Sequence, residues 1–309
     1  TYVCSCGFKN IIDFRKKGIV KLPWRIQWAG WWNYEKVDFE PGGKDHYTQG
    51  GSRITANEIF EKVYQKPHPV DLKYDFISLK GKGGKMSSSL GNVIRLKDVL
   101  EVYEPEIVRY IFASTRPNTE FFISFDEDVI KVYEDFDRLE ESYFSKKISE
   151  KDKRVYELSC IKEVPKKNPD KIGFRHLTIL LQIQEGNLNK IVKKYGKQNR
   201  KRAECALNWL EKYAPDNYKF KLQEKVNIKL NEKEKEALKL LAKKLEEKTW
   251  KEKELFNELY EICKTVNIEN IDIFKAAYKV LINKEKGPKL APFILAIGKD
   301  KVIKLLKKI

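Results

Sequence analysis

From Phe174 to the C-terminus the chain is written in a single period. Apolar residues recur three and four positions apart in "FRHLTILLQIQEG", in "EALKLLAKKLEE", at Leu255, Leu259 and Ile262, and at Val302, Leu305, Leu306 and Ile309. Such stripes reach a core only on helices, so the spacing predicts an all-α region. Asn231 followed by Glu234 forms a capping-box pattern ahead of one helix, and Gly186 is a stop after another. The first half has a different texture. "YDFISL" (74–79) and "FFISF" (121–125) read as strands, and "EPEIVRYIFAS" (104–114) as a helix with Pro105 in its first turn. A further helix is predicted from Asp126 to about Phe144, with Val129, Val132, Tyr133, Phe136 and Leu139 on one face. This alternation implies an α/β layer structure. Between the two textures, "CIKEVPKKNPDKIG" (160–173) carries two prolines and many charges and reads as a linker.

A chain of 309 residues with 41% apolar side chains can build two or three cored domains. No run approaches the ~18 apolar residues of a spanning helix, so no membrane partner is expected. Cys160, Cys205 and Cys263 are scattered and give no disulfide framework, which suggests a reducing compartment. The chain starts at Thr1 and its sole methionine is Met86, so it is expected to be a fragment or a processed product.

Charge is divided unevenly. Residues 1–150 carry equal numbers of basic and acidic side chains, so the whole surplus of +17 falls on residues 151–309. The densest stretch is "KIVKKYGKQNRKR" (190–202), where Lys190, Lys193, Lys194, Lys197, Arg200, Lys201 and Arg202 occur without an acidic residue. A solvated helix face normally mixes both signs, so the reading favoured here is a surface for the backbone of a nucleic acid.

One loop carries chemistry. After the strand-like run, "GKGGKMSSSLGN" (81–92) offers glycines that let the backbone bend, a Lys85 ammonium suited to phosphate oxygens, and hydroxyls at Ser87, Ser88 and Ser89. A loop of this kind can close on a triphosphate as negative charge redistributes, so that its binding is used in the transition state.

The stretch K-M-S-S-S-x-G-N resembles the KMSKS region of class I aminoacyl-tRNA synthetases. "LPWRIQWAGWW…VDFEPGGKDH" (22–46), "GFRHL" (173–177) and the terminal "GPKLAPFILAIGKDKVIKLL" resemble the class I lysyl-tRNA synthetase family, found mainly in archaea. The resemblance covers essentially the entire chain. It implies an α/β second half of a Rossmann-type catalytic domain at 21–125, preceded by a remnant of a zinc-ribbon-like insertion at 1–20. A helical stem-contact region at 126–225 and an α-helical anticodon-binding domain at 226–309 would follow. A HIGH segment is not found, so the resemblance implies a partner in the missing N-terminal portion of the catalytic domain. It also implies a cytoplasmic ligase that activates L-lysine with ATP and Mg2+ and transfers it to tRNA(Lys).

By the same resemblance, Lys85, Met86, Ser87, Ser88 and Ser89 form the catalytic loop, with Ser88 standing where many class I enzymes have a second lysine. Gly43 and Asp45, with Lys85 and Ser88, would hold ATP, and Trp24, His46 and Tyr74 would hold lysine. Of the four clustered tryptophans, Trp28, Trp31 and Trp32 are expected in the core. Lys190, Lys193, Lys194, Lys197, Arg200, Lys201 and Arg202 would meet tRNA. "CSCG" (4–7) resembles half of a zinc ribbon, in which Cys4 and Cys6 would supply two of the four ligands of a Zn2+ site. The alternative is a non-catalytic tRNA-binding polypeptide or one subunit of a split synthetase. Another class I specificity, such as arginine, is disfavoured by the W-R-x-x-W and F-E-P-G-G-K-D-H stretches.

Overall fold

The computed structural model describes residues 1–18, 21–81 and 93–309. The KMSKS-type loop, with Lys85, Met86, Ser87, Ser88 and Ser89, lies outside the described residues. The chain divides into two compact units, the first built around Thr1–Ser78 with Thr115–Phe122, the second around the helices that follow.

The first unit opens with a short antiparallel hairpin, β1 (Tyr2–Val3) and β2 (Lys9–Asn10). Then come α1 (Trp24–Glu35), β3 (Phe39–Gly43), a 3-10 turn (Lys44–Tyr47), α2 (Ser52–Tyr64) and β4 (Val70–Tyr74). Strands β3 and β4 pair in parallel, from Phe39 opposite Val70 to Gly43 opposite Tyr74. Parallel neighbours need a crossover, and α2 provides it. Helices α1 and α2 share a small core. Ala29 and Ala56 are wholly buried and let the helices approach, while Trp28, Trp32 and Phe60 fill the space between. Both indole N–H groups, of Trp28 (2.8 Å) and of Trp32, donate to the Glu40 carboxylate and tie α1 to β3. Trp31 departs from expectation: it is 49% exposed, because only a narrow stripe of α1 faces α2.

The expected single strand "YDFISL" is interrupted. Strand β4 ends at Tyr74 and β5 (Ile77–Leu79) starts afresh. Asp75 breaks the run by accepting the Phe76 N–H at 2.7 Å while its own N–H donates to the Pro117 carbonyl at 2.8 Å. A short acidic side chain thus competes with the ladder for backbone donors.

Strand β5 pairs with β6 (Phe121–Ile123). The helices of the second unit begin with α3 (Leu96–Val99), α4 (Pro105–Ser114) and α5 (Asp128–Phe144). Helix α5 starts two residues later than predicted: the Asp126 carboxylate accepts the Asp128 N–H (2.9 Å) and holds a turn ahead of the helix. Next are α6 (Glu150–Ser159), α7 (Phe174–Ile183), α8 (Leu188–Tyr195) and α9 (Arg200–Lys212). Their shared core holds Tyr103, Tyr133, Phe136, Phe174 and Trp209. Tyr133 stacks on Phe174 with centroids 4.1 Å apart, and its hydroxyl accepts the Glu104 N–H (2.8 Å) and donates to the Val102 carbonyl (3.1 Å). Residues 160–173 form no helix or strand, yet they are anchored. The Ile172 N–H donates to Asn199 (2.7 Å) and Lys171 reaches Glu104 (3.3 Å), so this stretch is a packed strap and not a loose linker.

A second core serves α10 (Glu232–Glu247), α11 (Glu252–Val266), α12 (Asn270–Ile282), α13 (Leu290–Ile297) and α14 (Lys299–Leu306). The predicted stripes Leu255, Leu259, Ile262 and Val302, Leu305, Leu306 are all buried in it, with Ile309 packed at its edge. The capping box is formed: Asn231 Oδ1 accepts the Glu234 N–H and Glu234 accepts the Asn231 N–H, each at 2.8 Å. Among the described residues no helix is long and apolar enough to cross a membrane.

Candidate functional site

The tryptophan spacing of α1 and the 3-10 turn after β3 together build an aromatic cluster. Trp24 is 47% exposed and stacks on buried Trp28 with centroids 5.1 Å apart and planes at 22°. The His46 ring also meets Trp28, edge-on at 5.4 Å. Trp24 and His46, two of the expected lysine-binding residues, therefore share one neighbour, Trp28. Sequence reasoning assigned that residue only to the core, although its i+4 relation to Trp24 places it on the same helix face. His46 Nδ1 lies 2.6 Å from the Ser52 hydroxyl at the start of α2, which fixes the ring's orientation. Tyr74, 45% exposed, belongs to the end of the parallel pair, where its ring covers Gly43.

Three glycines shape the turn between β3 and α2. A Cβ on Gly43 would lie 3.6 Å from the Tyr74 ring, an ordinary contact, whereas one on Gly42 would lie 3.0 Å from Tyr47. Gly51 is the tightest: a Cβ there would sit 2.5 Å from the His46 carbonyl oxygen and 2.7 Å from that of Thr48. The turn carrying Asp45 and His46 thus folds directly onto a glycine that the sequence did not single out. Asp45 lies in the first turn of the 3-10 helix, and its carbonyl accepts the Thr48 hydroxyl at 3.0 Å.

Lys44 was also missed, although it stands inside the "GGKDH" stretch. Its ammonium pairs with Asp75 at 2.5 Å and lies 4.6 Å from the Phe76 ring centroid. The hydrogen bond to Asp75 raises the lysine above its ordinary value, and the same bond holds the Asp75 carboxyl below the usual carboxylate range. Beneath this turn Arg53 is fully buried. It donates to the carbonyls of Pro69 (2.9 Å) and Glu40 (3.3 Å), lies 3.6 Å from Asp71, and its guanidinium stacks 4.4 Å from Trp32. One buried cation therefore ties α2 to β3 and to the lead into β4.

The basic stretch 190–202 divides by helical face. Lys190, Lys193 and Lys194 of α8, Lys197 of the following 3-10 turn, and Arg200 and Lys201 of α9 are exposed. Arg200 pairs with Glu204 at 3.1 Å and Lys201 donates to the Leu100 carbonyl at 3.3 Å. Arg202 corrects the expectation. It is wholly buried and donates to Glu104 at 2.6 Å and to both oxygens of Asp137 at 2.8 and 3.0 Å. Burial opposes its charge, but the two carboxylates hold it above the ordinary value. It is an internal clamp with no surface to offer RNA. The signal was present in the sequence: Arg202, Cys205, Ala206 and Trp209 fall at i, i+3, i+4 and i+7, and all are buried.

Cys4 and Cys6 are exposed in the β1–β2 turn, where the Gly7 N–H donates to the Cys4 carbonyl at 2.9 Å. Hydrogen bonds from the Cys6 backbone and thiol hold the Cys4 thiol below its ordinary value. Among the described residues no group of three or more His, Cys, Asp or Glu side chains could hold a metal ion. Two thiols do not make the tetrahedral donor set of structural zinc.

Residues 1–162 match the family described as tRNA synthetases class I (K), and residues 187–309 match an anticodon binding domain. The first match covers more than half of the chain, which therefore belongs to the class I (K) tRNA synthetase family. Among curated proteins, the chain is similar to the lysine–tRNA ligase of Borrelia garinii subsp. bavariensis, 48% identical over an alignment of 323 positions that covers 99% of this chain and 62% of that protein. It is also similar to those of Treponema pallidum (42% identical; 99% and 61%) and Thermococcus kodakarensis (40% identical; 94% and 60%). The chain spans about three-fifths of the length of these relatives.

Proposed function

We propose that this chain supplies the amino-acid pocket, the KMSKS-type loop and the tRNA-binding region of a class I lysine–tRNA ligase. The observation that carries the proposal is the alignment of a lysine–tRNA ligase over 99% of the chain at 48% identity. In this reaction the L-lysine carboxylate attacks the α-phosphorus of ATP in line, the bond to pyrophosphate breaks, and lysyl-adenylate forms. The terminal ribose hydroxyl of tRNA(Lys) then attacks the adenylate carbonyl, and AMP leaves.

Little covalent chemistry falls to the protein, so placement and charge compensation do the work. Trp24 presents an indole face beside Trp28 and His46, a surface suited to the apolar stem and cation of lysine. Tyr74 is assigned to the same substrate, and Gly43 and Asp45 to ATP. Lys85, with Met86, Ser87, Ser88 and Ser89, would compensate the charge gathering on the departing pyrophosphate, and Mg2+ accompanying ATP supplies further neutralisation. Lys190, Lys193, Lys194, Lys197, Arg200 and Lys201 would meet the tRNA backbone. As a translation enzyme the protein would act in the cytoplasm.

The test is ATP–pyrophosphate exchange with tRNA present, on the chain complemented by the segment of the 48%-identical ligase that it does not cover. Exchange should depend on L-lysine and fall by about 10²-fold or more in Lys85→Ala. Exchange with a different amino acid contradicts the specificity. No exchange, with tRNA still bound, favours a tRNA-binding polypeptide without catalysis.

A further inference from the structure

At the end of the parallel pair an ammonium group already has a place. Strands β3 and β4 finish side by side at Gly43 and Tyr74, and the next residue of each, Lys44 and Asp75, closes an ion pair at 2.5 Å. Ligands of parallel α/β sheets bind outside the carboxyl ends of the strands, where this pair lies. The Lys44 ammonium also sits 4.6 Å from the Phe76 ring centroid, and the charge of Glu120 acts on it as well. A carboxylate beside an aromatic ring is a receptor for a primary ammonium.

The two halves of the pair differ in freedom. Asp75 is fixed: its carboxylate accepts the Phe76 N–H at 2.7 Å, its own N–H donates to the Pro117 carbonyl at 2.8 Å, and its side chain is 20% exposed. The Lys44 side chain is 38% exposed and can swing into water at small cost, since a pair at the surface contributes little. L-Lysine, the substrate assigned above, carries the same ammonium on the same stem as Lys44 itself. A pocket that takes this charge out of water must offer it a carboxylate. Glu40 is occupied by the indole N–H groups of Trp28 and Trp32, Asp71 lies beside the buried Arg53, and Asp45 is assigned to ATP. Asp75 is the carboxylate here whose partner is a side chain able to leave.

We propose that Asp75, with the Phe76 ring, is the subsite for the ε-ammonium of the substrate, and that Lys44 occupies it in the empty enzyme and is displaced by lysine. The inference rests on the lysine ligase function proposed above and adds a specificity-determining residue to it. The exchange itself is selective. Lysine replaces one ammonium by another, whereas an uncharged side chain of equal length must either strand the Asp75 carboxylate or leave Lys44 in its way.

The experiment measures KM for L-lysine in ATP–pyrophosphate exchange with tRNA present, on the chain complemented by the segment of the 48%-identical ligase that it does not cover. L-2-Aminoheptanoate, the uncharged isostere of lysine, serves as competitive inhibitor. Lys44→Gln should lower KM about 2- to 5-fold because the internal competitor is gone. Lys44→Arg, whose planar fork holds a carboxylate more firmly, should raise it. Asp75→Asn should raise KM for lysine roughly 10- to 100-fold without weakening inhibition by the isostere. In that background Lys44→Gln should have no further effect. Opposite signs for two substitutions of one residue cannot come from a damaged turn. A higher KM in Lys44→Gln with Lys44→Arg near wild type makes the pair a structural clamp and overturns the subsite while the ligase function stands. Equal weakening of lysine and its isostere by Asp75→Asn does the same. Absence of lysine-dependent exchange in wild type overturns the ligase function and the subsite together.

Discussion

Among the described residues, each unit buries one arginine completely, and the two are held differently. Arg53 in the first unit is surrounded mainly by dipoles and rings: two backbone carbonyls, the face of Trp32, and the partly exposed Asp71 at 3.6 Å. Arg202 in the second unit sits between two carboxylates, Glu104 and Asp137, with Lys171 and the Tyr133 ring beside them. Both cations join segments distant in sequence. Arg53 locks a helix to the parallel strands that lead into and out of the 3-10 turn, whereas Arg202 locks α9 to Glu104 ahead of α4, to α5 and to the 160–173 strap. A charge clamped by carbonyls can lose its side chain and leave neutral groups behind. A charge clamped by the buried Glu104 carboxylate cannot.

The largest expected effect follows from that asymmetry. Arg202→Ala leaves Glu104 and Asp137 without their cation and should destabilise the second unit by about 3–5 kcal/mol, read as a drop in the urea midpoint. Adding Glu104→Gln should recover part of the loss, since the pair is coupled. Arg53→Ala should cost less, about 1–3 kcal/mol, because it strands mainly carbonyl acceptors, and the single carboxylate near it, Asp71, is one-third exposed to water. If the two substitutions cost the same, the distinction between the clamps fails. Asn231→Ala, which removes a solvent-exposed cap, provides a yardstick of about 1 kcal/mol and should fall below both.

The smallest effect is a pH dependence in the first unit. Asp75 has a lowered folded-state value because of Lys44, so its contribution is complete above the unfolded carboxylate value of about 3.9 and is lost as pH falls through the lower folded value. Asp75→Asn should therefore blunt the acid limb of a stability–pH curve. An unaltered acid limb would show that the pair does not hold the turn.

These clamps also mark where the sequence was readable. Helical stripes such as Leu255, Leu259 and Ile262 were legible because burial follows periodicity, and the Asn231–Glu234 box because its partners are three residues apart. Arg202 was misread because a run of like charges was taken as one surface. On a helix that run turns through both faces, and the apolar residues at 205, 206 and 209 decide which charge goes inside. Trp31 was misread for the reverse reason: the first unit packs α1 along a stripe too narrow to bury every tryptophan. The cluster Trp24–Trp28–His46 needed the turn after β3 to bring residue 46 back to residue 28, and Lys44–Asp75 needed the parallel pairing. Neither juxtaposition has a local signature.

The central claim is that the exposed face of the 190–201 stretch, with Arg202 excluded, meets the tRNA backbone. The most direct measurement is tRNA affinity against salt concentration for wild type and for a variant with Lys193, Lys194 and Lys197 changed to Gln. The log–log slope should become shallower by about 0.7–0.9 for each phosphate contact removed, roughly two to three in total, with the urea midpoint unchanged. A slope identical to wild type would remove this face from the interface and contradict the account.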